Sequence, residues 1–148
     1  MFNSILIVCT ANICRSPMAE VIFRKLLPNH TICSAGTCVS TLNFDDMPAD
    51  KNARLVAQQF ELDLEQHRAQ QLTPELIDQY DLVLVMNRHQ LEEVAEVTRG
   101  ARSKTLLIGQ WIQLGDIADP YGKGLTEFEQ CYKTLARAAL SWSKKCVR

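Results

Sequence analysis

A short apolar run that leads through a tight loop into a helix constrains this chain more than any other feature. Ile5-Leu6-Ile7-Val8 predicts a buried strand, and the stretch that begins at Pro17 predicts a helix. The loop between them reads Cys9-Thr10-Ala11-Asn12-Ile13-Cys14-Arg15-Ser16. In such a strand–loop–helix unit, backbone N–H groups and the positive end of the helix dipole surround a common point, which favours an anion-binding site.

The residue types in this loop favour covalent phosphate chemistry. Arg15 lies six positions after Cys9, and its planar guanidinium can bind two phosphate oxygens at once. A cysteine beside an arginine or at a helix N-terminus has its pKa lowered to roughly 3.5–7.5, and the thiolate is the nucleophilic form. Ser16 is expected to donate to this thiolate or to help cap the helix. An ordinary buried thiol is the alternative for Cys9 and Cys14, but the Arg, Ser and Pro context favours a nucleophile.

The loop resembles the signature of the low-molecular-weight protein tyrosine phosphatase family, Cys-x-Gly-Asn-x-Cys-Arg-Ser, with Ala11 where that family usually has Gly. The resemblance covers nearly all of the 148 residues and implies one phosphatase domain over residues 1–148. The length and the opening residues Met1-Phe2-Asn3 are similar to those of bacterial members associated with exopolysaccharide or capsule production. Further motifs that carry the resemblance are Ser34-Ala35-Gly36, His67-Arg68-Ala69 with Gln71-Leu72, and Asp119-Pro120-Tyr121.

The resemblance assigns three catalytic roles, with Cys9 as nucleophile, Arg15 as phosphate ligand and Asp119 as general acid. A proton donor is needed because phenolate is only a moderate leaving group. Asp-Pro alone is a common turn signal, and Asp116 is a chemical alternative as the acid, although the flanking Pro and Tyr favour Asp119. The expected substrate-binding residues are Thr10, Ala11, Asn12, Ile13, Cys14, Ser16 and Tyr121.

The walls of the expected pocket are aromatic or apolar, because a phenyl phosphate gains by stacking on an aromatic ring. Tyr121 is expected to form one wall. The opposite wall is expected from residues 37–46, with Phe44 and Leu42 as candidates. Packing of Phe44 onto the core is the alternative for that residue.

The resemblance also implies a support for the loop behind the pocket. Asn12 and Ser34 are expected to hydrogen-bond to each other and, with Ser16, to hold the loop in a strained shape. His67 is a further candidate for this support rather than a catalyst. Cys14 is expected to capture oxidised Cys9 in a reversible disulfide that prevents over-oxidation.

Strands alternate with helices along the chain, which predicts an α/β fold. We expect a single-domain, doubly wound, four-stranded parallel sheet with helices on both faces, strand one central, and the phosphate-binding loop after it. The predicted strands are 5–8, 31–35, 81–86 and 104–108. The predicted helices are 17–27, 49–60, a short helix opened by Thr73-Pro74, 88–97 and 126–145.

Composition and charge restrict the partners. A net charge of −1 gives no electrostatic reason to expect nucleic acid as a partner. No segment reaches the ~18 apolar residues of a membrane span, so no direct membrane insertion is expected, and without a secretory core a cytoplasmic location is predicted. The six cysteines show no paired spacing for zinc. Neither a metal nor another cofactor is expected, because Arg15 and the loop amides supply the positive charge. The expected partner is a phosphotyrosine protein, and the resemblance implies a membrane tyrosine autokinase.

Two other functions remain open from the residues. An arsenate reductase of the same scaffold also begins with a Cys-five-Arg loop, but its chemistry needs a further relay cysteine, and residues 82–89 contain none. A non-catalytic binder of phosphotyrosine or another oxyanion would need neither Cys9 nor Asp119. The presence of both residues favours a phosphatase.

Overall fold

Four strands and five helices alternate within residues 2–146, which are the residues that this computed structural model describes. The strands are β1 (Ser4–Cys9), β2 (Thr31–Gly36), β3 (Leu82–Val85) and β4 (Thr105–Leu107). The helices are α1 (Arg15–Leu26), α2 (Lys51–Gln59), α3 (Pro74–Asp78), α4 (Arg88–Val97) and α5 (Leu125–Cys146). Short 3-10 turns cover Ala101–Lys104 and Gln110–Ile112.

The strands form one parallel sheet in the order β2-β1-β3-β4. Strand β1 is therefore an interior strand, and Val8 near its end pairs with Ala35 on one side and Val85 on the other. Ligands of such sheets bind beyond the carboxyl ends of the strands. The predicted α/β class, the parallel sheet and the interior position of strand one are confirmed.

Side chains of β1 alternate between two cores, because successive residues of a strand face opposite sides of the sheet. Ile5 and Ile7 pack in the core that contains the apolar faces of α1, α2 and α5. Leu6 and Val8 pack in a second core with Ile77 of α3 and residues of α4. Helices thus cover both faces of the sheet, as the doubly wound prediction requires.

Three helix starts differ from the prediction: helix α5 begins at Leu125, one residue before the predicted start, and α1 and α2 each differ by two residues. Helix α2 begins at Lys51 rather than at 49, because the Asp50 side chain caps it by accepting from Asn52 N at 2.8 Å. Helix α1 begins at Arg15 rather than at 17, so Ser16 lies inside the helix and does not cap it. No side chain caps the start of α1, and the N–H groups there remain available to a ligand.

Within the described residues, no helix is both long enough and apolar enough to cross a bilayer.

Candidate active site

The loop between β1 and α1 has its peptide groups fixed in direction. Five of its carbonyl oxygens are bonded to groups outside the loop or to the next turn of α1, and they belong to Cys9, Thr10, Asn12, Ile13 and Cys14. Within the part of the chain that the structure describes, the backbone N–H groups of residues 11–16 have no protein acceptor. A run of N–H groups of this kind at a helix start is a concave anion-binding surface.

Gly36 allows the end of β2 to support this loop. A Cβ atom at this position would lie 2.6 Å from the carbonyl oxygen of Thr10 and 2.6 Å from Cγ2 of Val39. Because no side chain intervenes, Cys38 N reaches the Thr10 carbonyl oxygen at 2.9 Å. The Ser34-Ala35-Gly36 motif therefore ends in glycine for a steric reason.

Cys9 lies at the carboxyl end of β1, at the base of the loop, and is 3% exposed. Its Sγ atom is 2.9 Å from Oγ of Ser16. Ser16 lies in the first turn of α1 and is fully buried. Of the two roles expected for Ser16, the structure supports the hydrogen bond to Cys9. Ser16 does not line the cavity in front of Cys9, so its contact is with the thiol rather than with that space.

Cys14 is buried in the same loop, and all six cysteines are free thiols. Burial raises the pKa of the Cys14 thiol well above its ordinary range, and the charge of Asp50 adds to this shift. Burial likewise raises the pKa of Cys131 on α5 to about 12. Both thiols therefore stay protonated near neutral pH.

Arg15 connects the loop to the segment that carries Asp119. Its guanidinium donates through Nη1 to the carbonyl oxygen of Ile117 at 2.8 Å, and Nη2 lies 3.6 Å from Oδ2 of Asp119. The Arg15 side chain is nearly buried, whereas that of Asp119 is 50% exposed. The Tyr121 N–H donates to Oδ1 of Asp119 at 3.1 Å, which orients the carboxylate. Asp116 is exposed and does not line the cavity that contains Cys9.

A cavity of about 310 Å3 lies in front of the loop and brings most of the predicted residues together. Leu42 and Phe44 line it together with Tyr121, and Phe44 also packs against the core, so both expected roles of Phe44 are found. The residues of the chain that line this cavity are Cys9, Thr10, Ala11, Asn12, Ile13, Cys14, Arg15, Leu42, Phe44, Asp119 and Tyr121.

Asn12 is held from behind by its neighbours in a left-handed conformation, with φ of 58°. Its Nδ2 donates to Oγ of Ser16 at 2.8 Å and to Oγ of Ser34 at 3.0 Å. His67 Nε2 lies 2.6 Å from the Asn12 carbonyl oxygen and must donate to it, since a carbonyl oxygen only accepts. Burial lowers the pKa of His67, which favours the neutral ring.

Several contacts of this support were missed from the sequence. The Gln70 N–H donates to Oδ1 of Asn12 at 2.9 Å. Gln90 is buried, accepts from Met86 N at 2.7 Å and donates to Oγ1 of Thr10 at 3.2 Å. The only sequence signal for Gln90 is its place four positions after a buried run, because Thr10, its partner in the loop, is distant in the chain.

Among residues 2–146, no group of three or more His, Cys, Asp or Glu side chains is arranged to hold a metal ion. The charged and thiol side chains that line the cavity are those of Arg15, Asp119, Cys9 and Cys14.

A family model described as "Low molecular weight phosphotyrosine protein phosphatase" matches residues 4–148. The chain belongs to this family. The resemblance seen in the loop is thus confirmed, and the protein is an enzyme of the protein-tyrosine-phosphatase class.

Individual relatives agree with this assignment over the whole chain. The low molecular weight protein-tyrosine-phosphatase Etp of Escherichia coli strain K12 is 42% identical over 147 residues, covering 99% of this chain and 97% of the relative. The structure of Vibrio vulnificus Wzb in complex with benzylphosphonate has a TM-score of 0.95 and 44% identity, covering 98% of this chain and 99% of that one.

A more distant phosphatase has a different named activity. A cysteine-to-serine mutant of the YwlE arginine phosphatase, with a phosphorylated active site serine, has a TM-score of 0.88 and 28% identity. The match covers 96% of this chain and 94% of that one.

Proposed function

We propose that the protein hydrolyses phosphotyrosine through a phosphocysteine formed on Cys9. The observation that carries this proposal is the convergence of Cys9, Arg15 and Asp119 on one cavity with apolar and aromatic walls. Thr10, Ala11, Asn12, Ile13 and Cys14 supply the backbone of the cradle around the phosphate.

In the first step, Sγ of Cys9 attacks phosphorus, and the bond between phosphorus and the tyrosine oxygen breaks. The Asp119 carboxyl gives its proton to the departing oxygen, so the product leaves as neutral tyrosine. Arg15 and the backbone N–H groups bind the three equatorial oxygens, over which the charge of the transition state is spread.

In the second step, water attacks the phosphocysteine and the sulfur–phosphorus bond breaks. The Asp119 carboxylate accepts a proton from the attacking water, which returns the acid to its starting form. Cys9 leaves as a thiolate that the Ser16 hydroxyl stabilises at 2.9 Å. The cycle uses the charges of Arg15 and the loop and needs no metal or other cofactor.

The preferred substrate is an aryl phosphate because of the walls of the cavity. Leu42, Phe44 and Tyr121 offer a slot that a phenyl ring fills. Benzylphosphonate, the ligand in the Vibrio vulnificus Wzb complex, has a phenyl ring next to its phosphonate group and is chemically similar to this substrate. We propose a tyrosine autokinase linked to polysaccharide production as the protein substrate, acting in the cytoplasm, because the chain resembles bacterial members with that association.

Hydrolysis of phosphoarginine is the second candidate, because the YwlE arginine phosphatase shares the fold and is 28% identical. A guanidinium leaving group is cationic and gains from carboxylates at the mouth of the pocket. Within the described residues, Asp119 is the only carboxylate that lines the cavity of this chain. The arrangement therefore favours tyrosine over arginine.

Two measurements test the proposal. Rapid quenching during turnover of labelled phenyl phosphate should trap one phosphate per wild-type protein, while Cys9→Ser should not turn over yet should still bind a phosphotyrosine peptide. A matched pair of peptides with phosphotyrosine or phosphoarginine at the same position should give a larger kcat/KM for phosphotyrosine. A larger value for phosphoarginine would favour the second candidate, and reduction of arsenate without phosphatase activity would overturn both.

A further inference from the structure

We propose that Glu20 is a positioning residue for the Cys9 nucleophile, acting through Ser34, Asn12 and Ser16. The proposal rests on the proposed function, since it concerns the reactivity of Cys9. Glu20 lies on α1 one turn beyond Ser16, on the side of the loop opposite the reaction cavity.

The first link is the hydrogen bond between Ser34 and Glu20. Oγ of Ser34 donates to Oε1 of Glu20 at 2.5 Å. A carboxylate only accepts hydrogen bonds, so the single hydroxyl proton of Ser34 is committed to Glu20. Ser34 Oγ can then act only as an acceptor toward Asn12.

The second link is the side-chain amide of Asn12. Its Oδ1 accepts from the backbone N–H of Gln70, which fixes which end of the amide is oxygen. The two protons of Nδ2 are therefore directed to Oγ of Ser34 at 3.0 Å and Oγ of Ser16 at 2.8 Å. Because Ser16 accepts from Asn12, its own proton is directed to Sγ of Cys9 at 2.9 Å.

The negative charge of Glu20 strengthens this series of hydrogen bonds. Hydrogen bonds to a carboxylate are roughly twice as strong as neutral ones, and linked hydrogen bonds polarise one another. Glu20 makes Ser34 a better acceptor and so anchors Asn12, whose φ of 58° needs support from its surroundings. Without that anchor, we expect the Asn12 amide to shift and the Ser16 hydroxyl to lose its alignment with Cys9.

Glu20 makes a second contact, to the exposed Arg24 side chain, that offers a control. Nη2 of Arg24 lies 2.8 Å from Oε2 of Glu20, and the same guanidinium donates to the Ile32 carbonyl oxygen at 3.0 Å. The Glu20 side chain is 13% exposed and faces a separate polar cavity of about 220 Å3. Since Glu20 does not line the cavity of Cys9, it acts through other residues rather than on the substrate.

The test measures kcat and KM for phenyl phosphate together with the pH midpoint of Cys9 alkylation by iodoacetate. Glu20→Ala should lower kcat about tenfold, leave KM within about threefold, and raise the alkylation midpoint by about one pH unit. Glu20→Gln should restore only part of the loss, because its amide oxygen can still accept from Ser34 but carries no negative charge. Arg24→Gln, the matched control, removes the ion pair but not this hydrogen bond, and should stay within about twofold of wild type.

A double-mutant cycle makes the proposal specific. The single variant Ser34→Ala and the double variant that combines Glu20→Ala with Ser34→Ala should have the same kcat. The reason is that Glu20 acts only through the Ser34 hydroxyl. Additive losses, an unmoved alkylation midpoint, or an Arg24→Gln loss as large as that of Glu20→Ala would overturn the role of Glu20. If Glu20→Ala does not fold, the same measurements are made on Glu20→Asp. Its shorter side chain keeps the negative charge but no longer reaches the Ser34 hydroxyl.

Failure of this inference is separable from failure of the proposed function. If wild-type protein does not turn over phenyl phosphate, the proposed function fails. If wild type is active, Cys9→Ser is inactive and the Glu20 variants match wild type, only the role of Glu20 is refuted.

Discussion

Replacing Asp119 with asparagine removes the proposed proton donor and the negative charge but keeps the shape of the side chain. A positioned general acid contributes typically 10²–10⁴-fold, so we expect kcat for phenyl phosphate to fall by about that factor. The loss should be largest for phenyl or tyrosyl leaving groups, whose conjugate acids have a pKa of about 10. For a nitrophenyl phosphate, whose leaving oxygen needs little protonation, the loss should be much smaller.

The same variant should bind phosphate more tightly. Oδ2 of Asp119 lies 3.6 Å from Nη2 of Arg15, so the carboxylate competes with a bound phosphate for the guanidinium. The Asp119 side chain is 50% exposed, which places the pair with solvent-exposed pairs worth roughly 0.2–1 kcal/mol. The inhibition constant of inorganic phosphate should therefore fall by about 1.4- to 5-fold.

A series of aryl phosphates with leaving groups of rising pKa is the appropriate assay. Asp116→Asn is the matched control, because Asp116 is exposed in the same segment but does not line the cavity of Cys9. It should stay within about twofold of wild type at every leaving group. Equal losses across the series for Asp119→Asn, or a larger loss for Asp116→Asn, would refute the assignment of the acid.

Three further changes test the support of the loop and its thiols. Gly36→Ala should lower the free energy of unfolding in urea by about 1–3 kcal/mol, since its Cβ would lie 2.6 Å from the Thr10 carbonyl oxygen. Gly115→Ala is the control: its Cβ would have its nearest contact at 3.9 Å, and it should lower the free energy of unfolding by less than about 0.5 kcal/mol. Because burial lowers the pKa of His67 below its ordinary value of 6.5, the unfolded chain binds the proton more readily and stability is lost as pH falls below 6.5. His67→Gln should reduce that loss between pH 7.5 and 5.5 (about one unit on either side of the ordinary histidine pKa), while His89→Gln, at an exposed site, should not. Cys14→Ser should enlarge the fraction of peroxide-inactivated protein that thiols do not recover, and an unchanged fraction would refute the protective disulfide.

Much of the fold was predictable because its signals are local. The buried run before Cys9, the run Leu82–Val85 and the caps Thr73 and Asn87 are each legible within a few residues. The start of α1 was misplaced by two residues, since proline in the first turn suggested a helix that begins there. Only the structure shows that helix α1 already begins at Arg15.

The composition of the candidate site was predictable in part, because the resemblance named Cys9, Arg15 and Asp119, and the structure brings these three residues to one cavity. Asp119 lies more than a hundred positions from Arg15, and no periodicity in the chain relates the two. The contacts of Gln70, Gln90 and Glu20 were missed for the same reason. Each joins two residues that lie in different segments of the fold and far apart in sequence. The Ser16 side chain contacts Cys9 and does not line the cavity, so its expected role in substrate binding stays a prediction for its backbone N–H group.

The amino-acid sequence by itself determined the alternation of strands and helices and the chemistry of the Cys9 loop, because both depend on neighbours within a turn or a strand. The tertiary structure alone decided how the reactive groups of the loop are oriented. The hydrogen bonds that orient the Asn12 amide, the Ser16 hydroxyl and the Arg15 guanidinium join the loop to two distant segments, at Gln70 and at Ile117. Such directions depend on atoms brought within 3 Å by packing of the sheet and helices, and no local pattern of residues specifies them.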